Sequence, residues 1–387
     1  MEDLPLDWTK IGVKADDAMP LRFPHDVAEI LPDDEDICIV GTAGQKITQI
    51  PKDFSKLCNP NLQSLVLRSH LIQKMQGLDD FKSLDVLELY DNQVQALSSL
   101  EGPGPSLRVL DMSYNSIRDM APVSLCPNLQ ELYLANNKLK SMAGLGSLVH
   151  LKKIDLGANR IREMDEKELS GLVNLEELWI GKNKIEQIKG LEKLTKLRRL
   201  DIQSNRLTSI ENLTTQKDTL EELYLAHNGI DDEGASQATG LAMTFSNLSV
   251  LDLSRNRLTT TQPFAHLPAL DELWISGNQI TTFEDVEPLK DAASAGIQSL
   301  DTIYLEYNPV ASEFEYRKRL KEWIPSLNQI DATMIVGIAA SGTPPLRTVT
   351  PKMMTPEQLQ QAIIDRARKE AEAKQQQEQQ DDEKDKN

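Results

Sequence analysis

The stretch LEELYLAHNGI, from Leu220 to Ile230, decides how this chain is read. Near-copies recur as LQELYLANNKL from Leu129, LEELWIGKNKI from Leu175 and LDELWISGNQI from Leu270. All of them fit the pattern L-x-x-L-x-L-x-x-N-x-L. Eleven copies can be counted, beginning at Leu62, Leu84, Leu107, Leu129, Leu151, Leu175, Leu197, Leu220, Leu248, Leu270 and Leu300. Ten of them carry the asparagine, at Asn92, Asn115, Asn137, Asn159, Asn183, Asn205, Asn228, Asn256, Asn278 and Asn308; the first has His70 there. The commonest step is 22 residues, and two longer steps, of 28 to Asn256 and 30 to Asn308, predict extra loops or helical turns.

Such a period predicts a stack of similar coils, because one coil cannot bury its apolar side alone. The inner x-L-x-L alternates with period two, so its leucines face a core and its neighbours face out of a short strand. The asparagine is suited to the turn, where its side chain can satisfy backbone groups. In IEQIKGLEKLTKL, Ile185, Ile188, Leu191, Leu194 and Leu197 fall three apart, which suits a 3-10 or loosely helical return path. The fold class is therefore α/β: a leucine-rich-repeat solenoid of about eleven 22-residue repeats plus caps. A curved parallel β-sheet lines its concave face and short 3-10 or helical segments its convex side.

The expected organisation has four parts. Residues 1–36 form an acidic, flexible extension. Residues 37–310 form the solenoid, and ICIVGTAGQKITQI (Ile37 to Ile50) is its degenerate N-terminal cap. Residues 311–335 form a helical C-terminal cap, in which Phe314, Leu320, Trp323 and Ile324 cover the last repeat and Pro325 stops the helix. Residues 336–387 are a linker and a polar Gln/Glu/Lys-rich tail, helical or disordered, with Thr343, Thr350 and Thr355 each before proline.

Composition narrows the function. Lys and Arg number 42 against 60 Asp and Glu, a net charge of −18, which disfavours nucleic acid and anionic membranes as partners. No apolar run reaches membrane-spanning length, and the N-terminus lacks the apolar core of a signal peptide. The three cysteines, Cys38, Cys58 and Cys126, are too scattered for a disulfide framework or zinc site and read as reduced thiols inside a cell. The five histidines make no metal-binding pattern, and EGPGPS (Glu101 to Ser106) lacks the spacing of a phosphate cradle. No nucleophile, base or metal set converges, so no catalytic residue, cofactor or metal site is assigned and the chain is read as a non-enzyme.

The residue between the two inner apolar positions faces away from the core. In order it is Val66, Glu88, Asp111, Tyr133, Asp155, Trp179, Asp201, Tyr224, Asp252, Trp274 and Tyr304. Tyr90, Tyr114 and Tyr307 lie beside this stripe, and Glu131, Glu177, Glu222 and Glu272 stand two residues before its aromatics. Exposed strands favour aromatic residues in any case. The stronger reading is a protein-binding surface, in which Tyr and Trp supply anchors and the carboxylates meet a partner's Lys and Arg.

The order of the phrases LYDNQV, LGANRI, IGKNKI, QSNRLT, LYLAHNGI, LDLSRNRL and LEYNPV, with PSLNQIDATM after them, resembles the leucine-rich-repeat regulatory subunits of protein phosphatase 1, the regulatory subunit 7 family. The resemblance covers roughly Leu62 to Met334. It implies a non-catalytic subunit that binds the phosphatase catalytic subunit on its concave face and controls its activity, maturation or localisation, in nucleus and cytoplasm. The family's contact residues match Asp111, Tyr133, Asp155, Trp179, Asp252, Glu272, Trp274 and Tyr304. Glu88, Asp201, Tyr224, Glu177 and Glu222 are secondary candidates on the same face. The family usually has Phe in place of Tyr133 and Trp179, and Glu in place of Asp155. A monomer is expected in the absence of the partner. The competing reading is a leucine-rich-repeat scaffold or assembly protein of axonemal or spliceosomal type.

Overall fold

In the computed structural model, residues 36–42, 46–296 and 300–335 are described. The expected extension before residue 36 and the tail from 336, with its Thr-Pro pairs, lie outside the described residues. Fourteen strands among the described residues form one sheet in which spatial order equals sequence order. They are β1 (Asp36–Val40), β2 (Ser64–Arg68), β3 (Val86–Glu88), β4 (Val109–Asp111), β5 (Glu131–Tyr133), β6 (Lys153–Asp155) and β7 (Glu177–Trp179), then β8 (Arg199–Asp201), β9 (Glu222–Tyr224), β10 (Val250–Asp252), β11 (Glu272–Trp274), β12 (Thr302–Tyr304), β13 (Gln329–Ile330) and β14 (Thr333–Met334). All neighbours are parallel except β13 and β14, which close the array as an antiparallel pair. The register puts equivalent positions side by side, as with Tyr133↔Asp155 and Asp155↔Trp179.

Each strand is short because only x-L-x is extended before the chain turns. The central leucine or isoleucine is buried, as Leu178 is at 0% exposure, and its two neighbours point out of the sheet. The turn needs a left-handed residue just before each asparagine. Asp91, Tyr114, Asn136, Ala158, Lys182, Ser204, His227, Arg255 and Tyr307 all have positive φ there, and Gly277 is the one glycine in the row.

The asparagines tie each coil to the one before it. Asn159 is typical: its Nδ2 donates to Leu134 O at 2.9 Å in the preceding coil and to Leu156 O at 3.0 Å in its own. Its Oδ1 accepts the Leu139 N–H at 3.0 Å. His70 starts this ladder, accepting the Ile47 N–H on Nδ1 and bonding Ile39 O through Nε2, each at 3.2 Å. Asp331 ends it by accepting the Leu305 and Glu306 N–H groups, each at 2.9 Å.

The longer steps hold what their length predicts. The first contains the short helix Asp232–Ala235, capped by Asp231 on the Gly234 N–H at 2.8 Å. The second contains the helix Glu287–Ser294, with proline in its first turn. The return paths include 3-10 turns at Ala121–Leu125, Thr214–Gln216, Glu284–Val286 and Pro309–Ser312.

The cap helix runs over Tyr316–Trp323. Leu320 and Ile324 are buried as expected, and Trp323 packs edge-on against Phe283 at 5.3 Å. Phe314 does not cover the last repeat: it is 89% exposed. A left-handed residue at Glu315 turns the chain just before the helix, so Tyr316 takes the buried place instead.

Candidate protein-binding face

The stripe lies on the outward face of the sheet, as strand alternation requires. From β4 to β11 it strictly alternates: Asp111, Tyr133, Asp155, Trp179, Asp201, Tyr224, Asp252, Trp274. A second row, two residues earlier, alternates with it. Where the stripe is aromatic this row is glutamate, and where the stripe is aspartate it is Val109, Lys153, Arg199 or Val250. The strands thus read VLD, ELY, KID, ELW, RLD, ELY, VLD, ELW, a period of two coils. The spacing weakens repulsion among the aspartates. Neighbouring strands lie about 4.8 Å apart, so aspartates on every strand would repel, whereas alternate strands double the separation.

Much of this polarity is consumed within the face. Tyr133 and Tyr224 donate their hydroxyls to Glu131 and Glu222 at 2.6 and 2.7 Å, and Trp179 Nε1 donates to Glu177 at 3.1 Å. Lys153 pairs with Glu177 at 3.3 Å, and Arg199 bridges Glu177 and Glu222. Burial opposes ionisation of Glu177 and Glu222, but the hydrogen bonds from Trp179 and Arg199 respectively, with the nearby cations, outweigh it and hold both carboxyls below their usual range. Lys153 and Arg199 also sit 6.0 and 5.2 Å from the Trp179 ring.

The aspartates differ from the expectation of open carboxylates. One oxygen of each of Asp111, Asp155, Asp201 and Asp252 accepts the backbone N–H two residues on, at 2.8 to 3.0 Å. Burial pushes all four carboxyls up from their usual range. Asp201 and Asp252 are only 5% and 6% exposed. The cause is visible in the rings beside them: Trp179–Tyr224 at 6.4 Å spans Asp201, and Tyr224–Trp274 at 6.4 Å spans Asp252. The row of rings ends with Trp274–Tyr304 at 5.5 Å.

At β11 the internal pairing lapses. Trp274 Nε1 is buried with no hydrogen-bond partner. Glu272, half-buried on the same strand, has no side-chain hydrogen bond or ion pair among the described residues. Tyr304 accepts instead from Gln329 Nε2 at 2.6 Å. Of the remaining candidates, Glu88 is paired with Arg68, and Tyr90 packs on Tyr114 at 5.1 Å. Among the described residues no group of three or more His, Cys, Asp or Glu is placed to hold a metal, and no helix is long and apolar enough to cross a membrane.

Family models described as leucine-rich repeats match residues 106–127, 127–185, 149–207, 217–236 and 246–290. These segments are leucine-rich repeats, and the fold is a leucine-rich-repeat solenoid. An internalin from Listeria monocytogenes shares the fold at 21% identity and a TM-score of 0.62, over 79% of this chain and 88% of its own. A leucine-rich-repeat protein of Leptospira interrogans does so at 24% and 0.56, over 74% and 76%.

Among curated leucine-rich-repeat relatives, protein phosphatase 1 regulatory subunit pprA of Dictyostelium discoideum is 40% identical over 79 residues, 20% of this chain and 22% of its own length. Protein phosphatase 1 regulatory subunit SDS22 of Schizosaccharomyces pombe is 40% identical over 73 residues, 18% of this chain and 21% of its own. The chain thus spans about a fifth of the length of these relatives. The resemblance read from the phrases is borne out as similarity to phosphatase 1 regulatory subunits. An acidic leucine-rich nuclear phosphoprotein 32-related protein of Plasmodium falciparum is 30% identical over 132 residues, 32% of this chain and 43% of its own.

Reading one copy at a time missed the two-coil period and the basic residues Lys153 and Arg199. Both are legible when alternate copies of this leucine-rich repeat are aligned.

Proposed function

We propose that this chain is a non-catalytic regulatory subunit that binds the catalytic subunit of protein phosphatase 1 through the outward face of its sheet, controlling the phosphatase's activity, maturation or localisation in nucleus and cytoplasm. In this reading the solenoid of residues 37–310 with its cap to 335 is the binding unit, and it is monomeric without the partner. The observation that carries it is the lapse at β11. A buried indole N–H without an acceptor costs about 1–3 kcal/mol, and a partner that supplies one recovers it. Glu272 beside it offers a carboxylate for a partner's cation. The names of the similar regulatory subunits support the choice of phosphatase.

The test is a titration of the wild-type chain and of Glu272→Ala/Trp274→Ala against the phosphatase 1 catalytic subunit, with circular dichroism on both. Both side chains point out of the core, so the variant is expected to fold and to lose binding, at about 2 kcal/mol or more per anchor. Absence of wild-type binding would remove the phosphatase. That result would favour the assembly-scaffold reading. Equal binding by both proteins would keep the partner and move the contact elsewhere.

A further inference from the structure

We infer that a second surface, on the edge of the solenoid just past the asparagine turns, takes an acidic segment of a protein partner. It lies beyond the sheet face and does not depend on the phosphatase reading. The residue after the asparagine is Lys138, Arg160, Lys184 and Arg206 in four successive coils. Its backbone N–H donates, at 2.8 Å each time, to a carbonyl of the preceding coil: Ile117, Leu139, Ile161 and Ile185 in turn. The four cations therefore stand in register, about 4.8 Å apart from coil to coil. The next coil has Gly229 there, and the row does not break. Arg257 of the following coil leans back, its guanidinium carbon 3.9 Å from the place a β-carbon on Gly229 would take.

A second row, two residues further on, adds Arg118, Lys140 and Arg162, all exposed, in three successive coils. Of these eight cations, five in the first row and three in the second, only Arg206 has an ion pair among the described residues, with Glu186 at 3.6 Å. The acids that follow closely in these coils are engaged. Asp119 accepts the Ala121 N–H at 3.0 Å, Asp165 accepts the Lys167 N–H at 2.9 Å, and Glu163 pairs with Lys189. Elsewhere on this molecule opposite charges alternate between coils: Arg108 meets Asp85, and Arg198 stands between Glu176 and Glu221 at 3.3 and 3.1 Å. Like charges side by side in register repel. An unmet row of them, in a chain of net charge −18, is a surface that gains from an anionic partner.

The partner's class follows from the spacing of the patch. Cations in neighbouring coils are about 4.8 Å apart, and glutamates four apart on a helix stand about 5–6 Å apart, so one acidic helix laid along the row meets each cation in turn. Neither row holds an aromatic side chain on which a nucleic-acid base would stack. The charge of the whole chain also repels a polyphosphate at long range, whereas a short acidic segment brings few charges to be repelled.

The probe is a fluorescein-labelled, alanine-based helical peptide, about 16 residues long, with glutamate at every fourth position. It is titrated with the whole chain and followed by fluorescence anisotropy. Saturable binding is expected, with a dissociation constant below about 1 mM at about 50 mM salt. Arg160→Glu sets an acid between Lys138 and Lys184. It should weaken the peptide at least about fivefold and, by relieving repulsion, raise the urea midpoint at low salt. Lys193→Glu makes the same change of net charge at an exposed position outside both rows and should leave the affinity within about twofold. Binding that does not saturate, that Arg160→Glu spares or that Lys193→Glu weakens equally would overturn the surface, as would an unchanged urea midpoint in Arg160→Glu. A labelled DNA duplex that binds more tightly than the peptide would overturn the acidic segment as its occupant. No step uses the phosphatase, so failure of that partner leaves this surface standing.

Discussion

Replacing Asn159 by alanine is expected to destabilise the solenoid far more than the loss of one polar side chain suggests. Its Nδ2 donates to three carbonyls, those of Leu134, Leu156 and Gly157. Each keeps another donor after the substitution: Asn137 Nδ2 at 3.1 Å, Asn183 Nδ2 at 3.0 Å and the Asn136 N–H at 2.9 Å. The Leu139 N–H does not, because Asn159 Oδ1 is its acceptor and Leu139 is fully buried. One orphaned buried N–H costs about 1–3 kcal/mol, and the weakened carbonyl bonds add about 1 kcal/mol, so a loss of about 2–4 kcal/mol is expected. With a urea slope of about 3 kcal/mol per molar, the midpoint falls by about 1 M. Equilibrium urea unfolding followed by far-ultraviolet circular dichroism reads this directly. Asn228→Ala is the internal control, since Asn228 makes the same bonds from a more exposed position where water can replace them. Its loss should be clearly smaller. A midpoint for Asn159→Ala within about 0.2 M of wild type, with an unchanged slope, would refute the ladder as a source of stability.

Two further outcomes follow from the buried polar groups. Burial lowers His70 from 6.5 to about 4, so the unfolded chain binds the extra proton first and stability falls as pH drops from neutral through that window. The full loss is about 3 kcal/mol, at about 1.4 kcal/mol per unit. His70→Asn, which puts the residue of the other copies in its place, should flatten this part of the pH dependence in urea melts. Parallel profiles for the two proteins would show that His70 is not the cause. Gln216 is fully buried with Oε1 unpartnered, where the preceding coil carries Leu194 and the following one Phe245. The Leu191 and Leu194 carbonyls it serves also accept the Leu194 and Leu197 N–H groups. Gln216→Leu should therefore raise stability by about 1 kcal/mol, and a comparable loss in the urea midpoint would show that the two side-chain bonds matter more than the unmet oxygen.

The repeat, the strand positions and the asparagine ladder were legible because each depends on neighbours at fixed sequence distance. Leu178 must be buried and Trp179 must face outward wherever x-L-x is extended. The burial of Asp201 and Asp252 was not legible from one copy. It depends on rings two strands apart, Trp179 with Tyr224 and Tyr224 with Trp274, meeting above a small side chain. Phe314 illustrates a different limit. The apolar positions around the cap allow two helical phases, and the left-handed turn at Glu315 selects the one that buries Tyr316 and Leu320.

Net charge and interface charge are therefore different quantities in this molecule. The chain carries −18 overall, yet Glu177 and Glu222 are met by Lys153 and Arg199, and Glu131 takes the Tyr133 hydroxyl. A partner's cation that approached these glutamates would have to displace a cation or donor already in place, so the exchange gains little. Asp155 also has Lys153 nearby, 5.8 and 6.0 Å from the flanking Tyr133 and Trp179 rings, whereas Glu272 has no such competitor among the described residues. On a face whose glutamates at β5, β7 and β9 are already met, a partner's cation is expected to gain most at Glu272.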